Sequence, residues 1–187
     1  MDQTIRNPGS ASPDVKMSDK ADIRKRARKS VEDGAVTSSF GAGRAKDVCR
    51  LLNEALATEI TCVLRYRRHH FSASGIDSAE IKKEFLVHSN EELAHADRIA
   101  ERIVQLGGEP DLDPATLIER SHADYVAGKD LKAMIRENLV AERIAIESYR
   151  EMIAYVSGFD PSTRKLLVEV LEQEEAHADE LKDWLKD

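Results

Sequence analysis

Cysteine is nearly absent from this 187-residue chain: Cys49 and Cys62 are the only two. On one helix, at about 1.5 Å of rise per residue, they stand roughly 20 Å apart, which excludes a mutual disulfide and leaves two reduced thiols. Prolines number five and glycines nine, and several of them cluster at apparent helix boundaries. No apolar run reaches the ~18 residues from which a membrane span is read. The opening stretch Met1–Lys20 is polar, so no secretory leader is visible and a cytoplasmic location is expected. What is abundant is 41% hydrophobic and 34% charged residues, the balance of a soluble globular protein with well-solvated helix faces.

Charge is unevenly spread. Residues 1–44 carry nine Lys/Arg against six Asp/Glu, a net of +3, while the remainder nets −10 within a total of −7. Residues 1–43 hold turn-forming clusters such as Asn7-Pro8-Gly9-Ser10 and Gly41-Ala42-Gly43, and no apolar period is sustained there. They read as a flexible, partly basic N-terminal arm with a cationic run at Arg24–Lys29. Residues 44–187 read as one domain.

From Ala45 onward the apolar period is close to 3.6 residues, which predicts helices over about 45–73, 78–106, 130–156 and 161–186. Asp77 with Glu80 predicts a capping box, and Asp160 followed by Pro161 predicts a second capped start. Glu59, Tyr66, Gly75 and Asp77 recur in the same order and at the same spacing as Glu142, Tyr149, Gly158 and Asp160. The chain is thus two helical hairpins joined by a link over about 107–129, long enough to travel the length of a bundle. The expected fold is all-α: an antiparallel four-helix bundle with one long crossover, plus the N-terminal arm.

Within this repeat lie two copies of Glu-x-x-His, Glu92–His95 and Glu174–His177, whose register is one position shorter than that of the preceding pairs. At i, i+3 the two side chains of each copy share a helix face. Glu59, Glu92, Glu142 and Glu174 all fall inside apolar stripes. Four carboxylates turned into one core are unfavourable through desolvation and mutual repulsion, unless two divalent cations supply +4 against their −4. One Glu from each of two helices and Glu-x-x-His from the other two is an arrangement that holds paired iron or manganese ions in bundles. The assignment that follows has Glu59 and His95 on one metal, Glu142 and His177 on the other, and Glu92 and Glu174 bridging. Carboxylate and imidazole suit iron or manganese, and zinc fits the same cage. Asp97 and Asp179 read equally well as outer partners or surface acids.

On these residues the chain resembles the bacterioferritins of the ferritin-like superfamily over roughly 45–187, through Leu52-Asn53-Glu54-Ala55-Leu56, Glu91–Asp97 and Glu174–His177. The resemblance implies a ferroxidase centre within each subunit, binding two iron ions (manganese or zinc as substitutes) on Glu59, Glu92, His95, Glu142, Glu174 and His177. It implies oxidation of Fe(II) by O2 or peroxide, and iron storage in a homo-oligomeric shell. Tyr66 matches a family tyrosine near that centre that can act in electron transfer. Leu93 stands where the family places a haem-ligating methionine, so haem is not expected. A short fifth helix is missing, which makes a 12-subunit shell an alternative to 24. Rival readings are a diiron oxygenase or peroxidase acting on a small substrate, and a DNA-protecting mini-ferritin using the basic arm. Tyr149 reads as a core aromatic, His88 as a polar core neighbour, His69 and His70 as exposed or at a subunit contact, and His122 as having no partner.

Overall fold

The computed structural model describes residues 18–37, 40, 41, 43–75 and 78–186, all of the secondary structure being helical. In chain order the helices are α1 (Lys20–Lys29), α2 (Arg44–Ser72), α3 (Ser78–Gln105), α4 (Leu117–Arg120), α5 (Leu131–Val156) and α6 (Pro161–Trp184). The four long helices begin and end close to the limits drawn from periodicity. α2 packs chiefly on α3, α5 on α6, and the two hairpins close on each other through α2–α5 and α3–α6. No helix among the described residues is long and apolar enough to cross a membrane.

The apolar stripes become the core. Val48, Leu52 and Leu56 of α2 meet Ile99 and Ile103 of α3, with Tyr149 and Met152 of α5 and Leu167 and Val170 of α6. Each such side chain, fully buried, contributes about 1.5–3 kcal/mol. Asp130 caps α5, accepting from the Ala133 N–H at 2.8 Å. Asp160 caps α6, accepting from Thr163 N–H at 2.9 Å, and also receives Arg102 Nη2 at 3.0 Å, which ties this turn to α3. The expected cap at Asp77 lies outside the described residues. Gly108 follows α3 so closely against α2 that a Cβ there would meet Cys49 Sγ at 2.7 Å.

The crossover is laced to α2 at successive turns. Asn53 Oδ1 accepts from Asp111 N–H (2.7 Å), Thr58 Oγ1 from His122 N–H (2.9 Å), and Arg65 Nη1 donates to the Asp124 carbonyl (2.9 Å). His69 continues the series with Nε2 3.0 Å from the Ala127 carbonyl and Nδ1 3.1 Å from Asn138 Oδ1. This corrects the expectation that His69 is exposed: it is fully buried, and burial together with the nearby Arg65 cation lowers its pKa to about 4. His70 is half-buried, with Nδ1 2.6 Å from the Lys82 carbonyl, and His122 has Glu54 at 3.7 Å.

The N-terminal residues differ from expectation in two ways. Among the described residues, those up to Asp33 form one unit and those from Gly34 another, so the bundle unit begins before residue 44. Phe40 is buried edge-on against Phe159 (centroids 5.7 Å apart), and Ala35 N–H donates to the Gln105 carbonyl at 3.2 Å. One isolated aromatic carries that anchorage, too little to register as a period. In the other unit the basic run is helical. α1 has no buried residue, so burial does not order it: Asp19 caps it through Asp22 N–H (2.8 Å), and Arg26, Arg28 and Lys29 lie in its last turn, where cations suit the helix dipole.

Candidate metal centre

The six residues singled out by pattern converge in the middle of the bundle. α2 supplies Glu59, α3 supplies Glu92 and His95, α5 supplies Glu142, and α6 supplies Glu174 and His177. All six are buried, the most accessible being His177 at 4%. Their donor atoms form two overlapping groups: Glu59, Glu92, His95 and Glu174, and Glu92, Glu142, Glu174 and His177, with the atoms of each group within 4.8 Å of one another. Glu92 and Glu174 belong to both.

The imidazoles are held in one orientation. His95 turns Nδ1 inward, 3.1 Å from Glu174, 3.2 Å from Glu59 and 3.6 Å from Glu92. Its Nε2 lies 2.8 Å from Gln173 Oε1, an acceptor that places the hydrogen on Nε2 and leaves the Nδ1 lone pair to the cage. His177 repeats this with Nε2 2.8 Å from Glu91 Oε2, and Nδ1 3.5–3.9 Å from Glu92, Glu174 and Glu142. Glu91 and Gln173 directly precede the first residue of each Glu-x-x-His motif; the sequence reading missed them, although the repeat sets them in equivalent places. Tyr66 donates to Glu142 and Tyr149 donates to Glu59, both through short hydrogen bonds. Tyr149 is therefore more than the core aromatic expected from its stripe: its place as the repeat counterpart of Tyr66 was the available signal.

Charge inside the cage is frustrated. Burial, reinforced by Glu174 and Glu92, pushes the Glu59 carboxyl well above the usual range, and burial with Glu92 and Glu174 does the same to Glu142. Burial and, for Glu174, the Glu92 charge act upward on Glu92 and Glu174 too, but the neighbouring His177 and His95 imidazoles outweigh this and hold both low. Burial lowers the two imidazoles, and the carboxylates around them reverse it, raising both. Even so, Glu92 Oε1, both Glu174 oxygens and His177 Nδ1 lack any hydrogen-bond partner, although buried atoms of this kind are rarely orphaned. These atoms all aim into the cage. The donor set fits two hard or borderline divalent cations.

Comparison with known proteins agrees with this architecture. The ferritin-like domain family matches residues 49–187. The chain belongs to that family. The bacterioferritin of Desulfovibrio desulfuricans is 27% identical over 135 residues, 72% of each chain. An X-ray structure of Desulfovibrio desulfuricans bacterioferritin, described for its diiron site in different catalytic states, has a TM-score of 0.68 at 26% identity, over 76% of this chain and 80% of that one. A dodecameric thioferritin, the bacterioferritin-related protein of Bacteroides fragilis, has a TM-score of 0.77 at 31% identity, over 86% and 94%. The DNA protection during starvation protein of Pyrococcus furiosus is 30% identical over 135 residues, 68% of this chain and 70% of that one. This ferritin-like chain thus resembles both bacterioferritins and DNA-protecting proteins.

Proposed function

We propose that the protein is a ferroxidase and iron-storage protein that oxidises Fe(II) at a dinuclear centre inside each subunit of a homo-oligomeric shell. The observation that carries the reading is the sharing of Glu92 and Glu174 between two buried donor groups, which is what two adjacent ions require. In this reading Glu59 and His95 hold one ion, Glu142 and His177 the other, and Glu92 and Glu174 bridge. A pair of bound ferrous ions supplies two electrons to O2 or peroxide on becoming ferric. The chain's own part is positional and electrostatic. Tyr149 and Tyr66 fix the terminal carboxylates, and Gln173 and Glu91 fix the imidazole tautomers. Tyr66, buried beside Glu142, is also placed to pass an electron. The net charge of −10 over residues 45–187 favours attraction of Fe(II).

Alanine at both Glu92 and Glu174 should reduce rapid Fe(II) oxidation, followed by ferric absorbance, to the uncatalysed background; unchanged kinetics in the double variant would refute the assignment. A shell of 12 or 24 subunits is expected in light scattering, whereas a monomer or dimer would favour an oxygenase or peroxidase acting on a small substrate. Manganese or zinc can occupy the same donors, and haem is not expected with Leu93 in place of methionine. The two free, buried cysteines suit a cytoplasmic setting.

A second reading, DNA protection, is favoured by α1, on which Arg24, Lys25, Arg26, Arg28 and Lys29 are all exposed. Many such arms on one shell act together on phosphates. Truncation to Gly43 should abolish a gel shift that weakens with salt; equal mobility of both forms would remove this reading.

A further inference from the structure

We propose that the outer face of α2 and α3 is an isologous contact with a second copy of this chain, in which the acidic end of the face in each copy lies on the basic end of the other. This deepens the homo-oligomeric part of the reading above, rests on that part alone, and is independent of the dinuclear centre. Leu64 and Phe71 on α2, and Leu93 and Val104 on α3, are exposed, Phe71 at 75%. Within each helix the two residues recur after whole turns and so share one side. Arg67, between Leu64 and Phe71, donates to Asn90 Oδ1 of α3 at 2.8 Å, so the two rows adjoin. An apolar row of this kind on a solvated bundle marks a contact surface.

Charge identifies what covers this face. The contacts Cys49–Ile103, Val63–Ser89 and His70–Lys82 set α2 and α3 antiparallel. In that register the exposed Asp97 and Glu101 stand level with the Leu51–Ala55 stretch of α2, while Arg67 and Arg68 stand roughly 20 Å further along. Ile60, Leu64, Leu86 and Leu93 lie between the two ends. Among the described residues no carboxylate pairs with Arg67 or Arg68, which bond to Asn90 and to the Ala127 carbonyl, and no cation pairs with Asp97 or Glu101. A second copy turned by 180° about an axis through the apolar middle sets its acids on the first copy's arginines and its arginines on the first copy's acids. Both ends are satisfied at once, as a two-fold contact requires, whereas a parallel copy sets like charge on like. Two helices about 40 Å long and about 10 Å wide offer roughly 800 Å², the area each partner gives to a standard interface.

The repeat supplies a control. The positions equivalent to Leu64, Phe71, Leu93 and Val104 on the other hairpin are Glu147, Ala154, Glu175 and Lys186. Bundle geometry therefore does not by itself expose apolar residues there. Arg150, the counterpart of Arg67, pairs with both Glu147 (3.5 Å) and Glu175 (2.8 Å). The α5–α6 face settles its charges within the chain, and the α2–α3 face leaves its own to a partner.

Two experiments on the full-length protein test this. Cys49 and Cys62 are buried, so a cysteine introduced at Asn90, near the axis, is the accessible thiol. With a short bis-maleimide, Asn90→Cys should cross-link to a second copy, and Glu172→Cys, the equivalent position on α6, should not. No dimer from Asn90→Cys, or equal yields from both, would overturn the inference. The second experiment exchanges charge: D97K/E101K makes both ends of the face basic, and R67E/R68E makes both acidic. Each alone should raise the dimer dissociation constant about 100-fold, read by sedimentation on dilution, with helical circular dichroism unchanged. Mixed one to one, the two should associate again. Two folded variants that dimerise as the wild type does, or that fail to recover on mixing, would overturn the inference, and if either loses its helical signal the cross-link decides. A full-sized shell without the Asn90 cross-link would overturn this inference alone, whereas wild-type protein that is monomeric at every concentration would overturn the homo-oligomeric reading with it.

Discussion

The α2–α3 and α5–α6 hairpins carry the same ligand pattern in nearly the same register, and they are joined crosswise. Tyr66 of the first supports Glu142 of the second, and Tyr149 of the second supports Glu59 of the first. His95 rests on Gln173 and His177 on Glu91. The near-symmetry ends one layer further out. Beyond His177 lie the half-exposed Glu91 carboxylate, then His88 and Glu180; at the position equivalent to His88, the other hairpin has the fully buried Val170. Two like donor sets are therefore embedded in unlike surroundings: Glu91 and Gln173 are both partly exposed, but the layer beyond is histidine and carboxylate on one side and valine on the other. Duplication accounts for the inner layer, and the departure from it lies in the layer outside.

The strongest way to break this comparison is to compare Glu91→Ala with Gln173→Ala. Partners that orient metal-bound histidines are worth about 10–100-fold in metal affinity. Glu91→Ala should weaken the His177 ion and Gln173→Ala the His95 ion, each read by site-resolved cobalt occupancy. The charged acceptor should give the larger loss, and equal losses at both ions in both variants would show that the halves are not separately supported.

Removal of metal should make stability depend on pH with a definite sign. Glu59 and Glu142 are raised above the ordinary 4.5, and His95 and His177 above 6.5, so the folded chain binds more protons than the unfolded one. Stability contributed by the two histidines is full below about pH 6.5 and is lost as pH rises toward their folded values. The two raised carboxyls add a cost that grows as pH rises above about 4.5. Glu92 and Glu174, held low, contribute fully above that same pH and change nothing over 6–8. Chelated protein should therefore have a lower Tm at pH 8 than at pH 6, and added Co(II) should raise Tm more at pH 8. A chelated Tm that rises over this range would contradict the charge balance described for the cage.

The smallest effect separates the two tyrosines. Each hydroxyl makes a bond of a kind worth about 1.5–3 kcal/mol when its acceptor is charged, so Tyr66→Phe and Tyr149→Phe should destabilise metal-loaded protein by similar amounts in denaturant titrations. Only the Tyr66 hydroxyl also lies beside His88, 3.3 Å from its Nδ1, so Tyr66→Phe alone should shift the His88 imidazole resonances in NMR spectra.

Much of this was legible in the chain. Apolar period 3.6 marks the four long helices, because a bundle helix must bury one stripe, and an acid within that stripe stands out as an anomaly that demands a counter-ion. Glu59, Glu92, Glu142 and Glu174 were visible for that reason. Helix α1 was not, because its stability comes from a cap and from cations at its last turn rather than from a buried face. Phe40 was not, because a single anchoring residue has no period. Buried His69 and Arg65 were missed because their partners are carbonyls of the crossover and Asn138, far along the chain from either.

By itself, the amino-acid order determined the helices, their pairing into hairpins and the six candidate donors, since all of these are local or periodic properties. Only the tertiary structure decided which imidazole nitrogen faces the cage, which tyrosine supports which carboxylate, and which residues stand behind each imidazole. Each of these depends on atoms brought within hydrogen-bonding distance from helices far apart in the chain, and no spacing rule along one helix encodes such a meeting.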